Sequence, residues 1–472
     1  MSNRFFLLFA ILIASTCLDS AGADRPHIVL VMADDMGYGD AGYTGHPFVK
    51  TPHLDAMAEA GVVFDRFYAG APVCSPTRAS VMTGRHPFRG NVPNHGHYLR
   101  PDEITIAEAL KDSGYVTGHF GKWHIGSVQA ESPTSPGGQG FDEWLSGLNF
   151  FDNNPYLSRK GQFEHIKGPG SVISMDATID FLKKCKDGDK PMFAVCWFPS
   201  PHDPQAELPQ NIPNADSLYS KDTKKPGYFR EITLLDEQIG KLREALRELE
   251  IESNTLFWYT SDNGGLMAES SGGRARKGSI YEGGLRVPSI IEWPAKFQSQ
   301  RVTTPAYSSD IYPTILPIAG AKVARQPRLD GIDLAEIISG AKDTRPPMGF
   351  WHNHSSGQST KSDQIIKALM EAQKAGDPNP HPERVLKNVR EFPKFTDKDL
   401  KGHSAWNDWP WKLHRIQKDK KISYELYHLV DDPMETTDLS EKEADRVTEM
   451  KAALETWQCS VLNSWSGADY AK

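Results

Sequence analysis

The sequence has few cysteines, no excess of positive charge and no internal repeat or low-complexity tract. Five cysteines in 472 residues are too few for a disulfide framework. Cys17 lies in the N-terminal segment, and Cys74, Cys185, Cys196 and Cys459 follow it. We expect Cys196 to be a buried free thiol, with a Cys185–Cys196 bridge as the alternative. The formal net charge of −8 lacks the basic excess of nucleic-acid-binding proteins, so no nucleic acid partner is expected.

Long hydrophobic runs are also missing. The only apolar run near the N-terminus covers residues 5–14, which is short of the roughly 20 residues that span a bilayer. It follows Arg4 and precedes Ala21-Gly22-Ala23, so residues 1–23 match a signal peptide with a small-x-small cleavage site. We predict an exported protein, periplasmic or secreted after cleavage near Ala23, with no transmembrane anchor. Lipid attachment through Cys17 is the alternative.

The overall composition is typical of a globular protein, with 39% hydrophobic and 24% charged residues. The length favours one large domain with a smaller companion. We place the large domain at 24–345. The composition changes near residue 346, where apolar runs become rare, so 346–472 is predicted to be a smaller α+β domain. It should contain an antiparallel sheet and a terminal helix over 441–454.

Apolar, strand-like runs alternate with helical patterns in the larger part. The helical patterns cover residues 104–113, 177–184 and 230–249. This alternation predicts an α/β fold with a large, mostly parallel or mixed sheet flanked by helices. Three strand-like runs end in polar residues: 27–33 before Asp34 and Asp35, 255–261 before Asp262 and Asn263, and 191–198 before His202. Ligands bind at the carboxyl ends of strands in such sheets, so these groups should form one site.

The two acidic groups suggest a metal centre. Asp34, Asp35, Asp262 and Asn263 offer the hard oxygen ligands that Ca²⁺ prefers, about six to eight of them at roughly 2.3–2.6 Å. Mg²⁺ is an alternative. Asp34 and Asp35 alone would equally fit a turn or a helix cap, and the second pair favours metal binding.

The stretch from Cys74 to Arg85 is the most informative in the chain. Pro76 fits the first turn of a helix that begins near Ser75, which would place Cys74 at the helix N-terminus. A thiol at that position should be acidic and reactive. A structural cysteine near a turn is the alternative for the bare pattern Cys-x-Pro-x-Arg.

Cys74-Ser75-Pro76-Thr77-Arg78, followed by Thr83-Gly84-Arg85, resembles the modification signature of type I sulfatases in the alkaline phosphatase superfamily. The resemblance covers nearly the whole mature chain and is greatest to bacterial carbohydrate sulfatases. Further matching segments are Asp34-Asp35-Met36-Gly37, Gly121-Lys122-Trp123-His124-Ile125-Gly126, Pro201-His202, Asp262-Asn263-Gly264, Lys277-Gly278, residues 281–288, Glu425-Leu426-Tyr427 and Asp432-Pro433.

The resemblance implies that a maturation enzyme converts Cys74 to formylglycine, whose hydrated diol attacks sulfur. It also implies one Ca²⁺ bound by Asp34, Asp35, Asp262, Asn263 and the modified Cys74 side chain. The implied catalytic residues are Cys74, Arg78, Lys122, His124, His202 and Lys277. His124 is the expected base, and His202, ahead of Lys277, the expected acid. Glu282 and Arg286 are expected to be structural, with Gly283-Gly284 in a turn, and Thr83 and Arg85 to brace the site from behind.

The expected reaction is hydrolysis of sulfate monoesters, with sulfated sugars or polysaccharides as substrates. Loops around the site should set specificity; the candidates are 94–97, 150–154, Glu269, Ser270, Arg274, Arg276, His352 and His354. Alternatives are a broad aryl sulfatase, a phosphatase or phosphonate ester hydrolase on the same fold, and an inactive protein that binds sulfated glycans. The zinc phosphatases of the superfamily carry Asp-His where this chain has Asp262-Asn263.

Overall fold

A computed structural model describes residues 25–205, 226–387, 389, 392–394, 396 and 399–470. The predicted signal peptide lies outside these residues. Within them, no helix is both long enough and apolar enough to cross a membrane.

The strands are β1 His27–Ala33, β2 Val62–Phe64, β3 Phe67–Tyr68, β4 Val116–Lys122, β5 Glu143–Gly147, β6 Tyr156–Arg159, β7 Gln162–His165, β8 Met192–Trp197, β9 Thr255–Ser261, β10 Arg286–Val287, β11 Ser289–Glu292, β12 Gln300–Val302, β13 Ala306–Tyr307, β14 Met348–His352, β15 Gly402–Asp408, β16 Trp411–Lys418 and β17 Lys421–His428. The helices are α1 Pro52–Ala60, α2 Cys74–Thr83, α3 Ile106–Asp112, α4 Gly170–Cys185, α5 Pro226–Glu248, α6 Glu282–Leu285, α7 Ile311–Ile318, α8 Ala335–Ile338, α9 Ser362–Ala375 and α10 Ala444–Trp465.

Ten strands form the central sheet, in the order β12-β2-β11-β9-β1-β8-β4-β5-β6-β7. The five strands from β9 to β5 are parallel to one another. Antiparallel pairs β11–β9 and β5–β6 flank them. The sheet is therefore mixed with a parallel centre, which confirms the predicted α/β fold.

The two faces of β1 show why this sheet is covered by helices on both sides. Ile28, Leu30 and Met32 join one hydrophobic cluster, which includes residues of α2, α3 and α7. The alternate residues Val29 and Val31 join a second cluster with residues of α1, α4 and α5. Successive side chains of a strand point to opposite faces, so a strand apolar at every position must be buried on both.

The C-terminal part forms a second sheet of four antiparallel strands, ordered β14-β15-β16-β17. The predicted antiparallel sheet is thus confirmed, and it begins at Met348. The division into domains at 345/346 stays a prediction. Helix α10 is longer than the predicted 441–454, because Trp457, Val461 and Trp465 continue its buried face.

Three buried arginines that follow α2 hold the end of α10. Arg89 Nη1 donates to Ser464 Oγ at 2.7 Å, and Arg100 Nη2 donates to the Trp465 carbonyl at 2.9 Å. Arg85 pairs with Glu103 at 2.6 Å and also contacts Asp469. The side chain of Arg85, expected to brace the site, therefore binds the C-terminal segment.

Candidate active site

The carboxyl ends of four adjacent parallel strands, β9, β1, β8 and β4, meet at one edge of the central sheet. Asp34 and Asp35 directly follow β1, and Asp262 and Asn263 directly follow β9. Lys122 is the last residue of β4 and His124 lies two positions beyond it, while His202 lies in the loop after β8. The sheet thus brings together residues far apart in sequence, as parallel topology requires.

Three buried carboxylates converge with Cys74. Oxygens of Asp34 and Asp262 and the Cys74 Sγ lie within 4.8 Å of one another, as do ligand atoms of Asp34, Asp35 and His202. All three aspartates are 0% exposed. Such a group of carboxylates can hold a metal ion.

Each carboxylate is also paired with a cation. The pairs are Arg78 Nη2 with Asp262 Oδ2 at 2.7 Å, Lys122 Nζ with Asp34 Oδ2 at 2.6 Å, and Lys277 Nζ with Asp35 Oδ2 at 2.7 Å. Arg78 also donates to the Lys122 carbonyl at 3.0 Å. Buried charges require such partners, since an unpaired ion away from water is costly.

The aspartates nevertheless differ in acidity. Burial raises the pKa of Asp262 to about 7, with Asp34 adding to the effect and Arg78 opposing it. Burial also acts to raise the pKa of Asp35, but Lys277 and His202 outweigh it and hold that pKa below its usual value. Three carboxylates this close repel one another, so further positive charge would stabilise their ionised forms.

Two oxygens of the acidic group have no hydrogen-bond partner among the described residues, although both are buried. They are Asn263 Oδ1 and Asp34 Oδ1. The Asn263 amide is oriented by its Nδ2, which donates to Asp35 Oδ1 at 2.8 Å. Buried polar atoms rarely lack partners, and oxygen donors suit a hard cation such as Ca²⁺. The residues therefore fit the metal that the sequence predicted.

Cys74 is the first residue of α2, as predicted, and Pro76 lies in its first turn. The Thr77 hydroxyl donates to the Ala71 carbonyl at 2.9 Å and fixes the approach to the helix. The expectation of an acidic thiol is wrong for the unmodified residue. Cys74 is only 3% exposed, and burial raises its pKa although Lys122 and Lys277 lower it.

A cavity of about 300 Å³ opens over Cys74. Its lining residues are Val73, Cys74, His95, His124, Asn149, His202, Lys277, Ser359 and Thr360. His124 is 3% exposed, and neither of its ring nitrogens has a hydrogen-bond partner within the described part of the chain. Burial, together with Lys122 and Arg78, holds its pKa well below the usual value, so its ring is neutral at neutral pH.

His202 and Lys277 stand together beside Asp35. His202 Nε2 lies 3.6 Å from Asp35 Oδ2, and its ring stacks on Phe150 at 4.9 Å between centroids. Burial lowers the pKa of His202 to about 4, although Asp35 opposes this. The pKa of Lys277 is raised; burial lowers it, but Asp35 and Cys74 outweigh burial. Lys277 is therefore the charged member of this pair at neutral pH.

The predicted structural residues lie around this centre. Glu282 accepts hydrogen bonds from Tyr68 Oη at 2.9 Å and from Lys412 Nζ at 2.8 Å, which links β3 to β16 of the C-terminal sheet. Arg286 Nη2 donates to the Asp65 carbonyl at 2.6 Å. Gly283 and Gly284 were expected in a turn but lie within the short helix α6.

The candidate specificity residues are dispersed. His95 lines the cavity over Cys74, and Phe150 and Asp152 line a neighbouring one. Arg274 instead stacks on Tyr281, 3.8 Å from the ring centroid, and Arg276 donates to the Leu266 carbonyl at 2.8 Å. Several other positions contact residues that do not line these two cavities.

The Asn94 side chain contacts the Ser355 carbonyl, and His97 Nε2 lies 3.2 Å from the Ser356 carbonyl. Asn154 Oδ1 accepts from the Gly168 backbone N–H at 3.1 Å, and Ser270 contacts Asp40. The rings of His352 and His354 lie 4.8 Å apart.

Sequence reasoning missed Asn149, Ser359 and Thr360, which also line the cavity. Asn149 Nδ2 donates to the Thr360 carbonyl at 3.0 Å and joins the two loops. Asn149 immediately precedes the predicted segment 150–154, which was a weak signal. Residues 359 and 360 follow no recognisable strand or helix pattern.

The fold and the polar group at the strand ends define an alkaline phosphatase-like hydrolase. Sequence comparison then gives the family, because the Sulfatase family profile matches residues 26–321. The chain belongs to the sulfatase family and is a sulfuric ester hydrolase.

Three named relatives show how far the similarity extends. N-acetylgalactosamine-6-sulfatase of Canis lupus familiaris is 30% identical, over 72% of this chain and 71% of its own. The ulvan-active sulfatase of Formosa agariphila is 31% identical, over 66% and 65%. Human arylsulfatase A is 32% identical, over 71% and 72%.

Solved structures are similar over nearly the whole chain. Ps i-CgsB, in complex with k-i-k-neocarrahexaose, has a TM-score of 0.71 at 24% identity and covers 94% of this chain and 93% of its own. The phosphonate monoester hydrolase of Agrobacterium radiobacter has a TM-score of 0.62 at 18% identity, over 93% and 96%. At these identities the similarity establishes the fold.

Proposed function

We propose that this sulfatase hydrolyses sulfate monoesters on carbohydrates, with residue 74 as the nucleophile after oxidation of Cys74 to formylglycine by a maturation enzyme. The observation that supports this most strongly is the position of Cys74, with its Sγ within 4.8 Å of oxygens of Asp34 and Asp262. The named relatives include enzymes of sulfated carbohydrates. The pattern of residues 1–23 supports an exported enzyme.

Residue 74 can carry both halves of the reaction once it is oxidised and hydrated to a geminal diol. One hydroxyl loses its proton and its oxygen bonds to sulfur, while the bond from sulfur to the sugar oxygen breaks and the sugar oxygen takes up a proton. The other hydroxyl then loses its proton, the bond from the residue 74 carbon to the sulfated oxygen breaks, the aldehyde re-forms and sulfate leaves. His124 is the proposed acceptor of that second proton, because it lines the cavity over Cys74 and its ring nitrogens have no hydrogen-bond partner within the described residues.

The departing sugar oxygen needs a proton, and the sulfate oxygens need positive charge. Lys277 and His202 both line the cavity and both lie beside Asp35. His202, ahead of Lys277, is the proposed proton donor, as in the prediction from the sequence. Lys122 and Arg78 add charge from below, where burial strengthens electrostatic interactions.

We further propose that Asp34, Asp35, Asp262 and Asn263 bind one Ca²⁺ together with the side chain of residue 74. Asn263 Oδ1 and Asp34 Oδ1, which have no hydrogen-bond partner among the described residues, support this assignment. Bound calcium would supply positive charge that stabilises an ionised nucleophile.

The test is sulfate release from aryl and sugar sulfates, with matched aryl phosphates for comparison and with formylglycine at position 74 quantified by mass spectrometry. We expect sulfate release to follow formylglycine content, and Cys74→Ala to lower it by at least about a thousandfold, as loss of a catalytic nucleophile does. Cys185→Ala, which removes a half-buried free thiol in α4, should leave the rate unchanged.

Two outcomes would count against the proposal. Phosphate release that does not depend on the modification of Cys74 would favour the phosphatase or phosphonate hydrolase alternative. Release from aryl sulfates but from none of a broad set of sugar sulfates would favour an aryl sulfatase.

A further inference from the structure

A second cavity adjoins the one over Cys74. Its volume is about 340 Å³, and Asn149, His202 and Thr360 line both cavities. Its other wall is formed by residues at the start of α9 and by the segment that begins at Phe150. A ligand larger than one sugar can therefore occupy both cavities, with Asn149 and Thr360 at the boundary.

The charges in the two cavities differ in sign. The lining of the first contains one residue charged at neutral pH, Lys277, whose Nζ pairs with Asp35. The second is lined by two carboxylates, Asp152 and Asp363, and by one lysine, Lys361, whose side chain is exposed. An anionic group would be attracted to the first cavity and repelled by the second.

The remaining surface of the second cavity suits a sugar. The ring of Phe150 is half-buried and stacks on His202, with 28° between the ring planes. The carboxylates can accept hydrogen bonds from hydroxyl groups, and the exposed amide of Gln364 can both donate and accept them. Pockets of this kind combine apolar surface with a few placed polar groups.

We propose that the second cavity binds an uncharged sugar unit, so that the preferred substrate is an oligosaccharide in which the sulfated sugar is linked to a neighbour without sulfate or carboxylate. This inference rests on the proposed carbohydrate sulfatase function and specifies its substrate class. The sulfated unit occupies the cavity over Cys74, next to Lys277, and the neighbour lies against Phe150 and Asp363.

The experiment compares kcat/KM for sulfate release by enzyme loaded with calcium and modified at position 74. The probes are 6-sulfated galactose and 6-sulfated N-acetylglucosamine, each alone, linked to an unsulfated sugar, and linked to a second sulfated sugar. We expect the neutral neighbour to raise kcat/KM by about tenfold or more over the single sugar, mainly through KM. A sulfated neighbour should remove most of that gain.

A variant that changes the charge of the second cavity sharpens the comparison. Asp363→Asn together with Gln364→Lys makes the start of α9 more positive by two charges. We expect this variant to raise kcat/KM for the sulfated-neighbour probe about fivefold relative to the neutral-neighbour probe, as exposed charges act modestly. Glu371→Gln together with Asp377→Asn makes the same charge change on exposed residues near the other end of α9 and should keep the wild-type ratio.

The inference would be overturned if kcat/KM were equal for single and linked sugars, or if the wild type preferred the sulfated neighbour. In either case, turnover of aryl sulfates would still support the proposed sulfatase chemistry. Equal shifts in both double variants would also overturn it, since the effect would then be long-range. If the modified enzyme releases sulfate from aryl sulfates but from neither these probes nor any of a broad set of other sugar sulfates, the proposed carbohydrate function fails, and this inference fails with it.

Discussion

His86 is a buried aromatic residue whose side chain is almost fully shielded from solvent. The ring packs edge-on against Phe88 and Trp457, at 4.8 and 4.9 Å between centroids. Burial lowers its pKa to about 3, although Asp330 opposes this. The folded protein therefore keeps His86 neutral at a pH where the unfolded chain would bind a proton.

This predicts a pH dependence of stability at a single residue. The folded pKa of about 3 lies below the ordinary histidine value of 6.5, so the unfolded state binds more protons between these values and stability falls as the pH falls through that window. We expect His86→Phe to reduce this loss by up to about 1.4 kcal/mol per pH unit below about pH 6. The measurement is the free energy of urea unfolding at pH 5 and pH 7.

The matched control is His165→Phe, on an exposed residue of β7, which should keep the wild-type slope. An unchanged slope in His86→Phe would show that the folded protein protonates this ring.

At the scale of elements, Asp330 connects α10 to the segment after α2. Arg89 is completely buried and binds Asp330, Nε to Oδ2 at 2.8 Å. Asp330 Oδ1 in turn accepts from Trp457 Nε1 of α10 at 3.0 Å. A buried pair of this kind adds modestly to stability, but breaking it leaves a buried charge without its partner.

We expect Arg89→Met to lower the free energy of unfolding by about 3–5 kcal/mol, because Asp330 would stay buried without its cation. Arg247→Met is the matched control, since Arg247 and Glu252 form a surface pair at 3.2 Å with side chains 50% and 34% exposed; its loss should stay within about 1 kcal/mol. Denaturant titration measures both, and equal losses would contradict the role given to Arg89.

The same element shows what could be predicted from sequence and what could not. Strand β1 ends where its uninterrupted apolar run ends, and β9 extends only two residues beyond its own, so local composition largely determines both strands. Helix α10 continues to Trp465 because its last turns pack on Phe88 and are held by Arg100. Those partners are more than 300 residues away in sequence, and no local pattern reveals them.

Helix α4 gives a second example. It was predicted to begin at residue 177 but begins at Gly170. Its first turns bury Ser171 and Ser174, and Ser174 Oγ donates to the Gly170 carbonyl at 2.8 Å. Small polar residues give no hydrophobic periodicity, so the apolar pattern alone predicts a first helical residue that lies too far along the chain.

At the scale of the whole molecule, part of the candidate site could be predicted from the sequence and part could not, as with the helices. The carboxylates and cations follow strand ends or lie in matching motifs, so the sequence indicated them. The cavity wall arises where residues 355–360 pair with 94–97, as in the bond from Gln358 N to the His95 carbonyl at 2.8 Å. This pairing joins the parts before and after the predicted boundary at 346, and it could not be inferred from either part alone.

The calcium site proposed at the strand ends predicts an effect of metal on the stability of the whole molecule. Binding to the folded state alone should stabilise it by about 2.7 kcal/mol when calcium exceeds its Kd a hundredfold. We expect a chelator to lower the Tm of the wild type, calcium to restore it, and Asn263→Ala to lose most of this response because its unpartnered Oδ1 is removed. Thermal unfolding with calcium, magnesium and chelator measures this.

A wild-type Tm that responds to neither ion nor chelator would contradict the calcium assignment. A larger increase in Tm with magnesium than with calcium would indicate that the site binds Mg²⁺.

The packing of α10 on the segment after α2 has a consequence for the order of events during synthesis. Cys74 is buried in the folded protein, so the proposed maturation enzyme would have to reach it before folding is complete. The arginines at positions 85, 89 and 100 gain their contacts with residues 460–470 only when that segment has left the ribosome. At about 5–20 residues per second, this delay is on the order of 20–80 s. Under the proposed modification, the packing of residues 460–470 would be among the last steps that close the fold around Cys74.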